Sequence, residues 1–106
     1  MPLPIEGDLR AWDAEITGRN PTPWRARVEA ETRIDDGQAL ERRLALKVRD
    51  DPAGHLILLV SDTRANRRAL ASIGVGLDHL TPARTREMLA ALTAGQDPGR
   101  GGIVIL

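Results

Sequence analysis

A chain of 106 residues has the length of one domain built on one hydrophobic core. With no Cys it forms neither disulfides nor a thiolate zinc site, and its two His, His55 and His79, stand far apart without metal-ligand spacing. The formal net charge is zero, which makes whole-molecule attraction to nucleic acid weak, and no apolar run approaches the roughly 18 residues of a membrane helix.

Apolar residues make up 42% and charged residues 28%, the balance of a soluble globular chain. No secretory signal is legible, so the expectation is a cytoplasmic protein without a membrane partner. Positive charge is nevertheless local, with Arg25, Arg27, Arg33, Arg42, Arg43, Lys47 and Arg49 close together. Lys47 is the single lysine among 15 basic residues. Arginine pairs bidentately with carboxylate or phosphate, although such usage also follows from codon bias. With no Phe or Tyr and only two Trp, base stacking on aromatic platforms is disfavoured as a binding mode.

In chain order, Met1 to Glu6 is apolar and proline-bearing, which confines it to extended or edge geometry. Gly7-Asp8 signals a turn, and Leu9 to Ile16 reads as a strand with imperfect alternation. Thr17 to Pro23 is a loop. Trp24 to Ile34 then alternates strictly, with Trp24, Ala26, Val28 and Ala30 apolar and Arg25, Arg27, Glu29, Glu31 and Arg33 between them. That is a long strand with one buried face, antiparallel to the one before it.

Asp35 or Asp36 caps a helix over Gln38 to Arg49, with Leu40, Leu44 and Val48 as its core stripe and Gln38, Arg42 and Ala45 on an adjoining face. After a turn at Asp50 to Gly54, His55 to Val60 is a continuous apolar run, which suits a strand buried on both faces. A right-handed crossover makes it parallel to the preceding strand. Ser61-Asp62 caps a helix from Thr63 to Ile73, ended by Gly74-Val75-Gly76. Thr81-Pro82 starts another, with Met88, Leu89 and Leu92 as its apolar set and Gly95 at its end. Ile103 to Leu106 is a last buried strand, parallel to Leu56 to Val60. The expected class is α/β, a three-layer fold with a central mixed sheet flanked by helices.

Glu29 and Glu31 lie two residues apart on one strand face, about 7 Å from each other at roughly 3.3 Å per residue. Like charges that close need a cation or arginines between them. With Asp13 on the neighbouring strand they form a set of carboxylates able to share a hard divalent cation such as Mg²⁺ or Mn²⁺. The expectation is that all three converge at one concave edge of the sheet, with oxygens within about 4–7 Å. The bland alternative is a solvated strand face on which Arg25, Arg27 and Arg33 neutralise the glutamates. Gln38 and Arg42 equally read as ordinary exposed helix residues, Asp62 and Arg64 as cap and surface, and both His as incidental.

Trp12-Asp13-Ala14 followed by Glu29-Ala30-Glu31, with Gln38 on the next helix, resembles the PD-(D/E)XK nuclease superfamily, which has the restriction-endonuclease-like fold. More closely, Gly7 to Asp13 with Val28 to Thr32 and Ser61 to Arg64 resembles an uncharacterised actinobacterial family whose domain follows a helix-turn-helix. The resemblance implies a metal-dependent nuclease-like domain that acts on or binds DNA, with a divergent or decayed active site and Mg²⁺ or Mn²⁺ as cofactor. It implies catalytic roles for Asp13, Glu29 and Glu31, metal ligation by Asp13 and Glu29, and phosphate contact by Gln38 and Arg42. Glu31 stands where the motif has lysine, and Lys47 would have to reach back from late in the helix. The superfamily's helix before the first strand is not legible, so the chain reads as a truncated piece or a divergent minimal version. The runner-up expectation is a non-catalytic regulatory or dimerisation domain of a helix-turn-helix regulator, and a weaker third is a small-molecule sensor.

Overall fold

The computed structural model describes residues 13–50 and 54–106. The turn expected at Gly7-Asp8, the start of the first expected strand and most of the turn after the first helix lie outside these residues. The elements run β1 (Ala14–Gly18), β2 (Trp24–Glu31), α1 (Gly37–Asp50), β3 (His55–Val60), α2 (Arg64–Ile73), α3 (Val75–Leu80), α4 (Thr85–Thr93) and β4 (Gly102–Ile105). The strands form one sheet in the order β1-β2-β3-β4. β1 is antiparallel to β2, with Ala14 opposite Val28 and Gly18 opposite Trp24. β2 and β3 are parallel, with Glu29 beside Leu58, and β3 and β4 are parallel, with Leu58 beside Ile103. The mixed sheet and the α1 crossover agree with the class expected from the pattern.

Alternation along the strands feeds two cores, one on each face. Leu56, Leu58 and Val60 of β3 and Ile103 of β4 pack with Leu40 and Leu44 of α1, Ile73 of α2 and Leu77 of α3. Trp24, Ala26 and Val28 of β2, Ile57 of β3 and Val104 of β4 pack with Ala83 and with Met88 of α4. The layers are therefore α1, α2 and α3, then the sheet, then α4. Leu44 and Leu58 are wholly enclosed, and each such side chain contributes about 1.5–3 kcal/mol through burial.

Helix ends differ from the expectation where polar side chains had more than one choice of partner. Asp36 caps α1, its carboxylate accepting from the Ala39 N–H at 3.1 Å. The cap of α2 is Thr63, whose hydroxyl accepts from the Asn66 N–H at 3.0 Å, and not Ser61 or Asp62. Asp62 instead forms a two-pronged pair with Arg67. Gly74, at φ 74°, ends α2 but does not end helical structure, because α3 follows at once. Thr81 closes α3, donating its hydroxyl to the Leu77 carbonyl at 2.9 Å, so α4 begins later, at Thr85.

β4 is an edge strand whose outer backbone is occupied. Its Ile103 N–H donates to the Ala83 carbonyl at 3.0 Å and its Ile105 N–H to the Thr85 hydroxyl at 3.0 Å. The Thr85 hydroxyl donates in turn to the Ile103 carbonyl at 3.2 Å. Satisfying these groups removes a template on which another strand would add. None of the helices among the described residues is long and apolar enough to cross a membrane.

Candidate functional site

The polar row of β2 does not face solvent. The parallel register sets Arg27 beside Leu56, Glu29 beside Leu58 and Glu31 beside Val60, so this row shares the face covered by α1. Arg27 is 6% exposed and Glu29 is 4% exposed, which overturns the solvated-face alternative for those residues. Arg25 at the start of the row stays exposed.

α1 answers this row with charge. Lys47, itself buried, donates from Nζ to Glu29 Oε1 at 2.7 Å. Arg43 donates to Glu31 and lies 3.5 Å from the second oxygen of Glu29. The match is one of spacing. Arg43 and Lys47 are one turn apart, about 6 Å along the axis at 1.5 Å per residue. Glu29 and Glu31 are about 7 Å apart on the strand. Arg43 and Lys47 therefore flank the Leu40 and Leu44 stripe and meet the two acids across the layer. Four-residue spacing marks that pair in the sequence, but nothing in α1 alone says that a lysine lies on the buried side.

Asp13 arrives from the other side. Its N–H donates to the Val28 carbonyl at 3.1 Å, which continues the β1–β2 ladder by one residue and sets it across from Glu29. Its carboxylate accepts from the Ala30 N–H at 2.8 Å. Burial pushes the Glu29 carboxyl above its ordinary value of 4.5, and the Asp13 charge pushes the same way. The hydrogen bond and charge of Lys47, and then the charge of Arg43, oppose them. Lower on the same face, Glu15 lies 3.8 Å from Arg27 and 3.9 Å from Arg25.

The loop that follows Glu31 is pinned by Asn66, a buried residue that the sequence did not single out. Its side-chain oxygen accepts from the Ile34 N–H at 2.9 Å, and its amide donates to the carbonyls of Thr32 and Ser61, each at 2.9 Å. One side chain thus ties the ends of β2 and β3 to the start of α2.

The structure brings Asp13, Glu29 and Glu31 into one neighbourhood but leaves each engaged with a protein partner. Among the described residues no group of three or more His, Cys, Asp or Glu side chains is arranged to hold a metal ion. Gln38 and Arg42 are exposed on α1, and Arg43, not Arg42, is the arginine turned to the acids. His79 is exposed on α3, whereas His55 is paired with Asp97 at 2.9 Å. The carboxylate oxygens are of the hard type that Mg²⁺ takes, and Mg²⁺ needs only one or two of them because it keeps several waters. Here Lys47 and Arg43 occupy the two oxygens of Glu29, and an Asp13 oxygen is held by the Ala30 N–H, so a cation would have to compete with these partners. The sequence matches no protein-family model, no curated protein and no solved structure.

Proposed function

We propose that this is a nuclease-like α/β domain of the restriction-endonuclease-like kind, acting on or binding DNA through a divergent site made of Asp13, Glu29, Glu31 and Lys47. The observation that carries the reading is the Lys47–Glu29 contact at 2.7 Å, beside Asp13. It returns a lysine to the acidic pair whose motif lysine is replaced by Glu31. Asp13 and Glu29 would hold the cation, which supplies activation of water and charge neutralisation at phosphorus. Lys47 would offset the negative charge that builds on the phosphate, the kind of electrostatic help that dominates such chemistry. Glu31 is an added ligand or a base, and Gln38 and Arg42 on the exposed side of α1 are available to the DNA backbone.

Lys47 and Arg43 occupy Glu29, so a cation and a phosphate must displace them. That competition supports weak metal binding and weak or absent cleavage. Supercoiled and single-stranded DNA incubated with the purified chain, with Mn²⁺ and with EDTA, tests this. The expected result is little or no cutting. Robust metal-dependent cutting abolished by Asp13→Asn would establish an active nuclease instead.

The second reading is a non-catalytic regulatory or dimerisation domain, and the same ion pairs favour it. Glu29–Lys47 and Glu31–Arg43 staple α1 to the sheet without needing a ligand. A chain that neither binds Mn²⁺ nor cuts, but dimerises or docks onto a helix-turn-helix domain, would bear this reading out.

A further inference from the structure

A second constellation lies at the other end of the sheet. Trp24 opens β2 and Glu31 closes it, a separation of about 23 Å at roughly 3.3 Å per residue. A cleft of about 700 Å³ is lined there by Gly18 and Arg19 after β1, Trp24 and Arg25 of β2, His55 of β3, and Asp97.

The walls are fixed by specific contacts. Asp97 donates its N–H to the Asn20 carbonyl at 2.8 Å, which ties the loop before β4 to the loop after β1. Its Oδ1 accepts from the Gly99 N–H at 2.9 Å and from His55 Nε2 at 2.9 Å. The Gly99 N–H, and secondarily His55, hold the Asp97 carboxyl below its ordinary value of 3.8, so it stays ionised. The carboxylate therefore fixes the orientation of the His55 ring and leaves Nδ1 without a partner among the described residues. Gly54, at φ 86°, allows β3 to enter here, since a Cβ would stand 2.7 Å from the Arg25 carbonyl oxygen.

We propose that this cleft binds a phosphate-type oxyanion, held by the guanidinium groups of Arg19 and Arg25 and by the Nδ1–H of the His55 imidazolium, whose Nε2–H donates to Asp97. The lining residues include two arginines against one acidic residue. The Arg25 side chain is 44% exposed and only loosely paired, 3.9 Å from Glu15. The planar fork of an arginine matches phosphate oxygens. Under Gly18, the Trp24 indole N–H is buried without an acceptor among the described residues. Neither Asp13, Glu29 nor Lys47 takes part, so the proposal stands apart from the nuclease-like reading.

His55 and His79 are the only histidines, so their ring signals are readily assigned by NMR. The ring resonances are followed, in EDTA, during titration with inorganic phosphate, a nucleoside 5′-monophosphate and a short single-stranded oligonucleotide. The His55 signals should move saturably while those of His79 stay, and the tightest of the three probes names the source of the phosphate. Arg19→Gln/Arg25→Gln should weaken binding about tenfold or more. Both arginines are exposed, and a dispersed amide spectrum checks that the variant folds. The single variant Arg19→Gln should weaken binding in the same direction. Failure of His55 to move beyond His79 with every probe overturns the proposal, as does unchanged affinity in the folded double variant; the His55–Asp97 pair is then only a loop fastener.

Discussion

Lys47 of α1 donates to Glu29 of β2 across 2.7 Å, and both side chains are 5% exposed. Taking both charges out of water costs several kcal/mol for each ion before their attraction offsets it. Such a pair adds little net stability compared with apolar residues of the same size, but it is strongly destabilising to break from one side. Lys47→Met should therefore cost about 3–5 kcal/mol, because Glu29 stays buried and loses its main partner. Glu29→Gln/Lys47→Met should recover most of that loss. Urea unfolding of the three proteins checks both statements. A Lys47→Met variant as stable as the wild type would show that the pair is not shielded from water.

The raised Glu29 pKa gives a pH signature with a definite sign. A carboxyl whose folded value lies above its unfolded value binds its proton first in the folded state, so it favours folding as the pH falls. Its contribution is complete below the ordinary value of 4.5 and is lost as the pH rises through the raised folded value. Measured by denaturant unfolding from neutral pH down to 4.5, the stability difference between wild type and Glu29→Gln should shift in favour of the wild type. A shift in favour of Glu29→Gln on acidification would mean that Lys47 and Arg43 outweigh burial at this carboxyl.

The face of α1 and the pin at the strand ends separate structural from functional residues. Leu44 is fully enclosed, and Leu44→Ala should cost about 2–5 kcal/mol. Gln38 is exposed, and Gln38→Ala should leave stability within about 0.5 kcal/mol. Asn66→Ala strands the Ile34 N–H and the carbonyls of Thr32 and Ser61, and should cost at least about 2 kcal/mol. Thermal or urea unfolding orders the three variants. Gln38→Ala unfolding like Leu44→Ala would assign that residue to the fold.

Much of the architecture is legible from the pattern, because β2 alternates, β3 and β4 are unbroken apolar runs between turn signals, and the Leu40–Leu44 stripe repeats every four residues. What periodicity could not give is which layer covers the charged side of β2. A row of Arg27, Glu29 and Glu31 looks solvated until the opposing helix is known to carry Arg43 and Lys47 at matching spacing. The α2–α4 region was harder, since Thr63, Thr81 and Thr85 each have a local backbone partner to choose and only tertiary packing selects among them. Asn66 carries no sequence signal at all, because its partners lie 5 to 34 residues away.

We propose that Asp13 and Glu29 together accept a divalent cation. Titration with Mn²⁺, read as paramagnetic broadening of assigned amide signals, tests it most directly. Broadening is expected centred on Asp13 and on the Glu29 to Glu31 segment, weak but saturable, and lost in both Asp13→Asn and Glu29→Gln. Broadening centred elsewhere, or none at these amides while Lys47 remains paired with Glu29, would contradict it and leave the cluster as a staple between α1 and the sheet.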